Sequence, residues 1–428
     1  MTLAVTPTRS LRSPGLDARI AQLVDERARH TTDWFGREAS RIAQLCHALA
    51  QRFHQGGRLL AVGDSAAARS DARHVAVEFV HPVIVGKRAL PALALTGTID
   101  EIERDVTLLV EPHDMLFVFG SDARLGESIT AARARGALTV AFADLAADWT
   151  FIPPGDDLFI RQELVETFYH VVWELVHVFF EHRGLLDDDG ASINTTTIAL
   201  GGISVADVTT SSATSFLYPF LANAERDLNG VLADVAASVA MKAAEITELR
   251  AATVGAVESP SRRELVDAAR LLRAAFDTGH KLLAFGNGGS STDAMDAVAD
   301  YRSPPNGWRA RPALDLSEDP AILTALANDV GPEVLFSRQI IAHGKAGDVA
   351  LAFSTSGGSR NVIHALIEAR KRGLATIAFV GYDGGRIADE RLADCVVVSP
   401  SQHIPRVQEA QAAAHHIVRE LVERLYDG

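Results

Sequence analysis

Apolar positions recur along the chain in two alternating rhythms. Residues 16–55 carry them at helical spacing, with Ile20, Leu23 and Val24, then Ile42, Leu45 and Leu49, which reads as two helices. A short apolar run at 58–62 ends at Gly63 and reads as a strand. The pattern then predicts a helix over about 70–79, strands near 90–95 and 115–119, a helix over 126–135, a strand at 138–142 and a long amphipathic helix over 161–182. Strands and helices alternating at these lengths predict a parallel sheet, because each crossover lays a helix against one of its faces.

The rhythm stops at 183–215, where Asp, Gly, Ser and Thr dominate and a linker is expected. It resumes over 221–250, and Ser261 with Glu264 has the spacing of a capping box. Strands follow at 282–285, 349–353 and 376–380, with a helix between the last two and a final helix over 406–426. The expected fold class is α/β with two domains, at 16–183 and 221–428 with a linker at 184–220. Each domain would be a parallel sheet flanked by helices on both faces.

The two halves also match in order. GRLLAVGD from Gly57 parallels HKLLAFGN from His280, HDMLFVFG from His113 parallels GDVALAFS from Gly347, and AARARGALTVAF from Ala131 parallels EARKRGLATIAF from Glu368. Three matches in one order point to a tandem duplication, so the chain reads as a fused pseudo-dimer.

Composition narrows the function classes. The 428 residues are 47% apolar, enough for two cores, and the net charge of −14 argues against a nucleic-acid or membrane-surface role, which needs a basic face. Cys46 and Cys395 lie too far apart in sequence to suggest a metal-ligand pair and fit core positions in a reducing compartment. The N-terminal segment lacks a signal-peptide apolar region, and the longest apolar stretch, 168–180, is broken by His170, Glu174 and His177; a cytoplasmic protein is expected.

Candidate chemistry sits in two turns of the second half. After the strand at 282–285, Gly286, Asn287, Gly288, Gly289 and Ser290 lead into a helix whose free amides suit an anion. After the strand at 349–353, the run Ser354-Thr355-Ser356-Gly357-Gly358-Ser359 offers four hydroxyls, a neutral cradle for a sugar phosphate without a lysine.

These turns carry a resemblance. GNGGSxxDAM at 286–295, ANDxG at 327–331 and GDVxLxxSTSGxS at 347–359, with the spacing on the last helix, resemble the sugar isomerase (SIS) family and, within it, the phosphoheptose isomerases. The resemblance spans about 221 to the C-terminus, and the first half looks like a diverged copy. It implies two SIS-type domains and interconversion of sedoheptulose 7-phosphate with D-glycero-heptose 7-phosphate through an enediol. It also implies phosphate binding by Ser290, Ser354, Thr355, Ser356 and Ser359, with Asn287, Gly288, Gly289, Asp319 and Gln408 completing the substrate site. Such members work as four SIS units, so a homodimer of this chain is expected, with a small sugar phosphate as its ligand. The rival the family offers is a non-catalytic sugar-phosphate sensor or partner-binding protein.

The family's acid/base and zinc positions fall unequally on the two halves. In the second they are Asp296, Asp300, Gln408 and His416, which leaves Asp300 and His416 as the catalytic pair. In the first they are His74, Glu78, Gln162 and His170, a full set for zinc. The turns show the reverse asymmetry: Asp64 and Asp122 stand where the second half has Asn287 and Ser356. Hence one half keeps the phosphate cradle and the other the metal set. Catalysis would come from Asp300 and His416 within the second half or from His74, Glu78 and His170 across an interface. A family arginine is Pro304 here and Pro82 in the first half, which leaves the sugar open.

Overall fold

The computed structural model describes residues 14–83, 87–181, 185–186, 227–257, 259–305 and 307–425, so nearly all of the expected linker lies outside the described residues. The first half holds β1 (Leu59–Gly63), β2 (Ala92–Thr96), β3 (Met115–Phe119), β4 (Leu138–Ala141) and β5 (Trp149–Thr150), in the sheet order β2-β1-β3-β4-β5. The second holds β6 (Leu282–Phe285), β7 (Ala313–Asp315), β8 (Val349–Ser354), β9 (Ala375–Val380) and β10 (Cys395–Val398), in the order β7-β6-β8-β9-β10. All pairings are parallel and the two orders are the same. The register agrees as well: Leu59 pairs with Met115 as Leu282 pairs with Val349.

The central strands are apolar without interruption because both faces are covered. Along β1 and β3, Leu59, Ala61, Phe117 and Phe119 enter one core cluster, while Leu60, Val62, Leu116 and Val118 enter another on the opposite face. Covering them are α1 (Pro14–His54), α2 (Ala66–Val80), α3 (Ile99–Leu109), α4 (Leu125–Ala134) and α5 (Leu158–Glu181). In the second half the helices are α6 (Leu228–Arg250), α7 (Pro260–Asp277), α8 (Gly289–Arg302), α9 (Pro320–Asp329), α10 (Leu335–His343), α11 (Arg360–Lys371), α12 (Gly385–Asp389) and α13 (Ile404–Arg424).

Three expectations change. The two helices read at the start are one helix of 41 residues. Its separate apolar patches serve different cores: Ile20, Leu23 and Val24 pack into the second half's core, and Trp34, Phe35 and Ile42 into the first's. In return, α6 places Val231, Val235, Val239 and Ala243 in the first half's core, so residues from both halves build that core. The capping box at Ser261 does not form, because Ser261 lies inside α7. Its Oγ instead accepts from Val398 N–H and donates to the Val398 carbonyl, each at 3.0 Å, while Glu264 accepts from Val396 N–H. The two side chains satisfy the edge of β10, the outermost strand of its sheet. A capping box that the apolar pattern does not mark opens α3, where Thr98 and Glu101 satisfy each other's amides.

Both cysteines are buried free thiols. Among the described residues no helix is long and apolar enough to cross a membrane. The halves meet through α2 against α8, where Ser70 Oγ donates to the Thr292 carbonyl at 2.9 Å, and through α5 against α13, where Thr167 reaches Glu409 at 3.2 Å. These four helices frame the site.

Candidate functional site

Four helices bring the chemistry-bearing residues together twice, once on each side of the contact between halves. On one side, α2 presents His74 and Glu78 one turn apart, so both point the same way. From α5, His170 meets them: its Nε2 lies 3.3 Å from His74 Nε2, and Glu78 Oε1 lies 3.8 Å from the same atom. The ligand atoms of these three buried residues lie within 4.8 Å of one another, a spacing that suits a metal ion. His74 forms a second such group with Glu166 and Asp293.

Gln162 does not join that set. Its amide donates across the contact to Asp296 at 2.7 Å, and Gln408 of the second half takes the corresponding place beside His74, at 3.1 Å. The glutamines are exchanged between halves. So are the carboxylates that orient the imidazoles: Glu409 of α13 holds His170 Nδ1 at 2.9 Å, and Glu163 of α5 holds His416 Nδ1 at 2.9 Å. The second group therefore contains Asp296, Asp300, His416 and Gln162. There His416 Nε2 lies 3.5 Å from Asp300 Oδ2.

The glycine turn of the second half belongs to the first of these groups. A Cβ on Gly289 would collide with Gln408 Nε2 and lie 2.9 Å from His74 Nε2. Only glycine lets the start of α8 approach so closely. Gly288 takes φ +57°, α8 starts without a side-chain cap, and its first turn carries no acidic residue. Ser290 is buried at that end, and Asn287 exchanges two hydrogen bonds with Asn361 at 2.9 and 2.8 Å. In the second turn Ser354 Oγ is buried without a partner, and Ser356 Oγ accepts from Gly358 N–H. Gly381 and Gly384–Gly385 allow close backbone approach to this turn: a Cβ on Gly381 would meet the Thr355 carbonyl and Val407, one residue before Gln408. Ser359 precedes α11 as its N-cap residue without a side-chain cap bond, and Asp319 is exposed and caps α9 by accepting from Ala321 and Ile322 N–H.

The first half's turn is closed by its own groups. Ser65 caps α2 by accepting from Ala68 N–H at 3.1 Å, Asp64 accepts from Asp122 N–H at 3.3 Å, and Arg124 pairs with Asp122. Here the protein's own oxygens occupy the donors that would face an anion.

Burial sets the electrostatics. It pushes the Glu78 carboxyl up to about 7, with Glu174 adding to the rise and His170 opposing it, and it pushes His74 well below the usual imidazole range, with His170 adding to the fall. Burial also raises Asp71, Asp293, Asp296 and Glu166 well above the carboxylate range. It would raise Glu163 as well, but Arg27, His416 and Arg250 overcome it and bring that carboxyl down to about 2. Glu409 is likewise lowered against burial, by Arg406 and His170.

The residues at His74 fit a cation. Glu78 Oε2 and Gln408 Oε1 are buried acceptors without partners, and two imidazole nitrogens face each other beside them. A positive ion would satisfy all of these groups at once. The residue pattern marks neither Glu163 and Glu409 nor Asp71 and Asp293 on its own. The available signal is repetition: the pairs Gln162-Glu163 and Gln408-Glu409, and Asp71-Ala72 and Asp293-Ala294, occupy matching places in the two halves.

Comparison with known proteins bears on the family and the fold. The family model described as SIS domain matches residues 248–381. A phosphoheptose isomerase from Chlorobium phaeobacteroides is 45% identical over 166 residues, which is 38% of this chain and 72% of that protein. One from Aquifex aeolicus is 41% identical over 164 residues, 38% of this chain and 85% of that protein. Two solved structures share the fold over nearly the whole chain. The C-terminal domain of glucosamine-fructose-6-phosphate aminotransferase from Francisella tularensis has a TM-score of 0.56 at 10% identity, covering 95% of this chain and 96% of its own. A putative tagatose-6-phosphate ketose/aldose isomerase from Clostridium novyi has a TM-score of 0.55 at 8% identity, covering 96% and 89%. With two parallel five-stranded sheets in one order and relatives this similar over its second half, the chain belongs to the SIS-domain family, and its relatives are phosphoheptose isomerases.

Proposed function

We propose that the protein is a sugar-phosphate aldose–ketose isomerase acting on sedoheptulose 7-phosphate, with one working site shared between its halves. The observation that carries this reading is the contact of Gly289 with His74 and Gln408, which sets the second half's anion turn against the first half's imidazole and carboxylate group. Identity to phosphoheptose isomerases over that second half supports the substrate.

The phosphate dianion would lie on the hydroxyls of Ser290, Ser354, Thr355, Ser356 and Ser359 and the amides at the start of α8. Asn287 and Gly288 would line the sugar end of that turn, with Asp319 assigned there by the family resemblance alone. Glu78, raised to about 7, is poised near neutral pH as the base that takes the C1 proton of the ketose and returns it to C2. His170, fixed through Nδ1 by Glu409, gives a proton from Nε2 to the C2 oxygen and recovers one from the C1 hydroxyl, which passes the sugar through an enediol. We place this pair at Glu78 and His170, in preference to Asp300 and His416, because the latter face the turn whose donors are already taken. His74, Glu78, His170 and Gln408 would hold zinc. When bound, it would supply Lewis-acid polarisation of the substrate oxygens in place of the proton from His170 Nε2, since a side-chain atom that ligates it cannot also exchange a proton.

A non-catalytic sugar-phosphate sensor is the second reading, favoured by the closed turn of the first half and by Asp296 where the family has histidine. Purified protein incubated with sedoheptulose 7-phosphate and assayed for the aldose separates the two, with metal analysis on the same sample. Aldose formation is expected; tight binding without turnover selects the sensor. The chain is also read as pairing with a second copy, which size-exclusion chromatography with light scattering checks.

A further inference from the structure

Asp300, His416 and the space beside them have no part in the isomerisation proposed above. That space is a cavity of about 400 Å³. It is lined by Ser65, Gly120 and Ser121 from the first half's turns, by Asp300 of α8 and Ser303 just after that helix, and by Gln162 and Asp71.

Three features give this cavity a different chemistry. The anion position is filled from within: a Cβ on Gly120 would collide with the Asp64 carboxylate, which already takes the Asp122 amide, and Ser65 takes the Ala68 amide in the first turn of α2. A phosphate there would meet carboxylates. The wall, by contrast, is polar: Asp300, 4% exposed, lines it with Gln162, Ser121 and Ser303. The Asp300 carboxyl is held in place from behind, its Oδ2 standing 3.4 Å from His415 and 3.5 Å from His416. Finally, the floor is flat and aromatic: Phe159 stacks on His416 with centroids 4.5 Å apart and planes 18° from parallel, and Phe142 lines the same space. Carboxylate and amide groups above an aromatic floor suit the hydroxyl edges and C–H face of a sugar.

We propose that this cavity binds an uncharged polyhydroxylated ligand, a free sugar or polyol without phosphate. The site is distinct from the phosphate-binding site and stands whether or not the isomerase reading does. Arg161 also lines the cavity, so a sugar acid is the competing ligand.

The test is isothermal titration of the full chain carrying Ser356→Asp, which closes the serine cradle, with sedoheptulose, sorbitol, gluconate and inorganic phosphate as probes. Sedoheptulose should bind once per chain, with a dissociation constant of about a millimolar. Asp300→Asn should weaken it by about tenfold or more. Ser121→Phe, at an exposed position on the mouth of the cavity, should do the same without lowering the melting temperature, which separates a lost ligand from a lost fold. Gluconate and phosphate should not displace the sugar. The proposal is overturned if no uncharged probe binds, if gluconate or phosphate competes, or if Ser121→Phe leaves binding intact. Unsubstituted protein that shows no turnover of sedoheptulose 7-phosphate, with sedoheptulose still bound by the Ser356→Asp chain, would sink the isomerase reading and leave this one standing.

Discussion

The two places where the halves exchange side chains are built on one plan and differ in what they can hold. Each takes a helix pair from one half and a glutamine and an orienting glutamate from the other. In one, two imidazoles and Glu78 lie beside the Gly289 turn at the start of α8. In the other, two aspartates and one imidazole lie beside a turn occupied by its own carboxylates. In the proposed site the ligand-type residues of one half are completed by the glutamine and the glycine turn of the other.

The most severe way to break this difference is to give the open cradle the closed turn's charge. Ser356→Asp places a carboxylate against the phosphate; at about 4 Å and an intermediate dielectric the repulsion is about 4 kcal/mol, so kcat/KM should fall by about a thousandfold. Asp122→Ser, the reverse change in the closed turn, should leave turnover unaltered, and steady-state kinetics checks both.

The orienting glutamates come next. Glu163→Gln leaves Arg27, Arg250 and His416 facing a neutral amide in a dry interior and should cost about 3 kcal/mol of stability, read by denaturant unfolding. Glu409→Gln should in addition lower isomerase activity by about tenfold to a hundredfold, because it frees the ring of His170. If both variants changed stability alone, the two sites would not differ in function.

The starts of α5 and α13 give a milder contrast. His403 precedes α13 and stands 3.9 Å from Glu174; burial pushes its pKa down to about 4, with the pull of Glu174 insufficient to offset it. The folded protein therefore binds fewer protons than the unfolded chain between about pH 4 and 6.5, and stability present above 6.5 is lost as pH falls through that window, by up to about 3 kcal/mol. Melting at pH 5 and 7 should show this loss, and His403→Gln should remove it. At the matching place before α5, Asp157 accepts from Phe159 and Ile160 N–H, so Asp157→Ala should cost about 1 kcal/mol in the same melts.

Much of this is legible in the residue pattern because parallel strands buried on both faces are continuous apolar runs, and the matched runs at 57–64 and 280–287 fall on equivalent strands. That His74 and Glu78 share one helix face also follows from helical spacing, while His170 joins them in the sequence only through the family resemblance. What the pattern does not reveal is which half supplies the glutamine. Gln162 and Gln408 lie eight residues before His170 and His416 on their own helices, and their partners are set by how α5 packs against α13, a contact between residues more than 130 positions apart. The single helix α1 is hidden for a related reason: its apolar stripe is interrupted where it passes from one core to the other, and the interruption reads as a helix end.

The claim that the serine cradle works with the imidazole group of the opposite half is tested most directly by turnover of Glu78→Gln on sedoheptulose 7-phosphate. With substrate binding retained, kcat should fall by about a hundredfold or more. Wild-type turnover in this variant would show that catalysis does not cross between the halves.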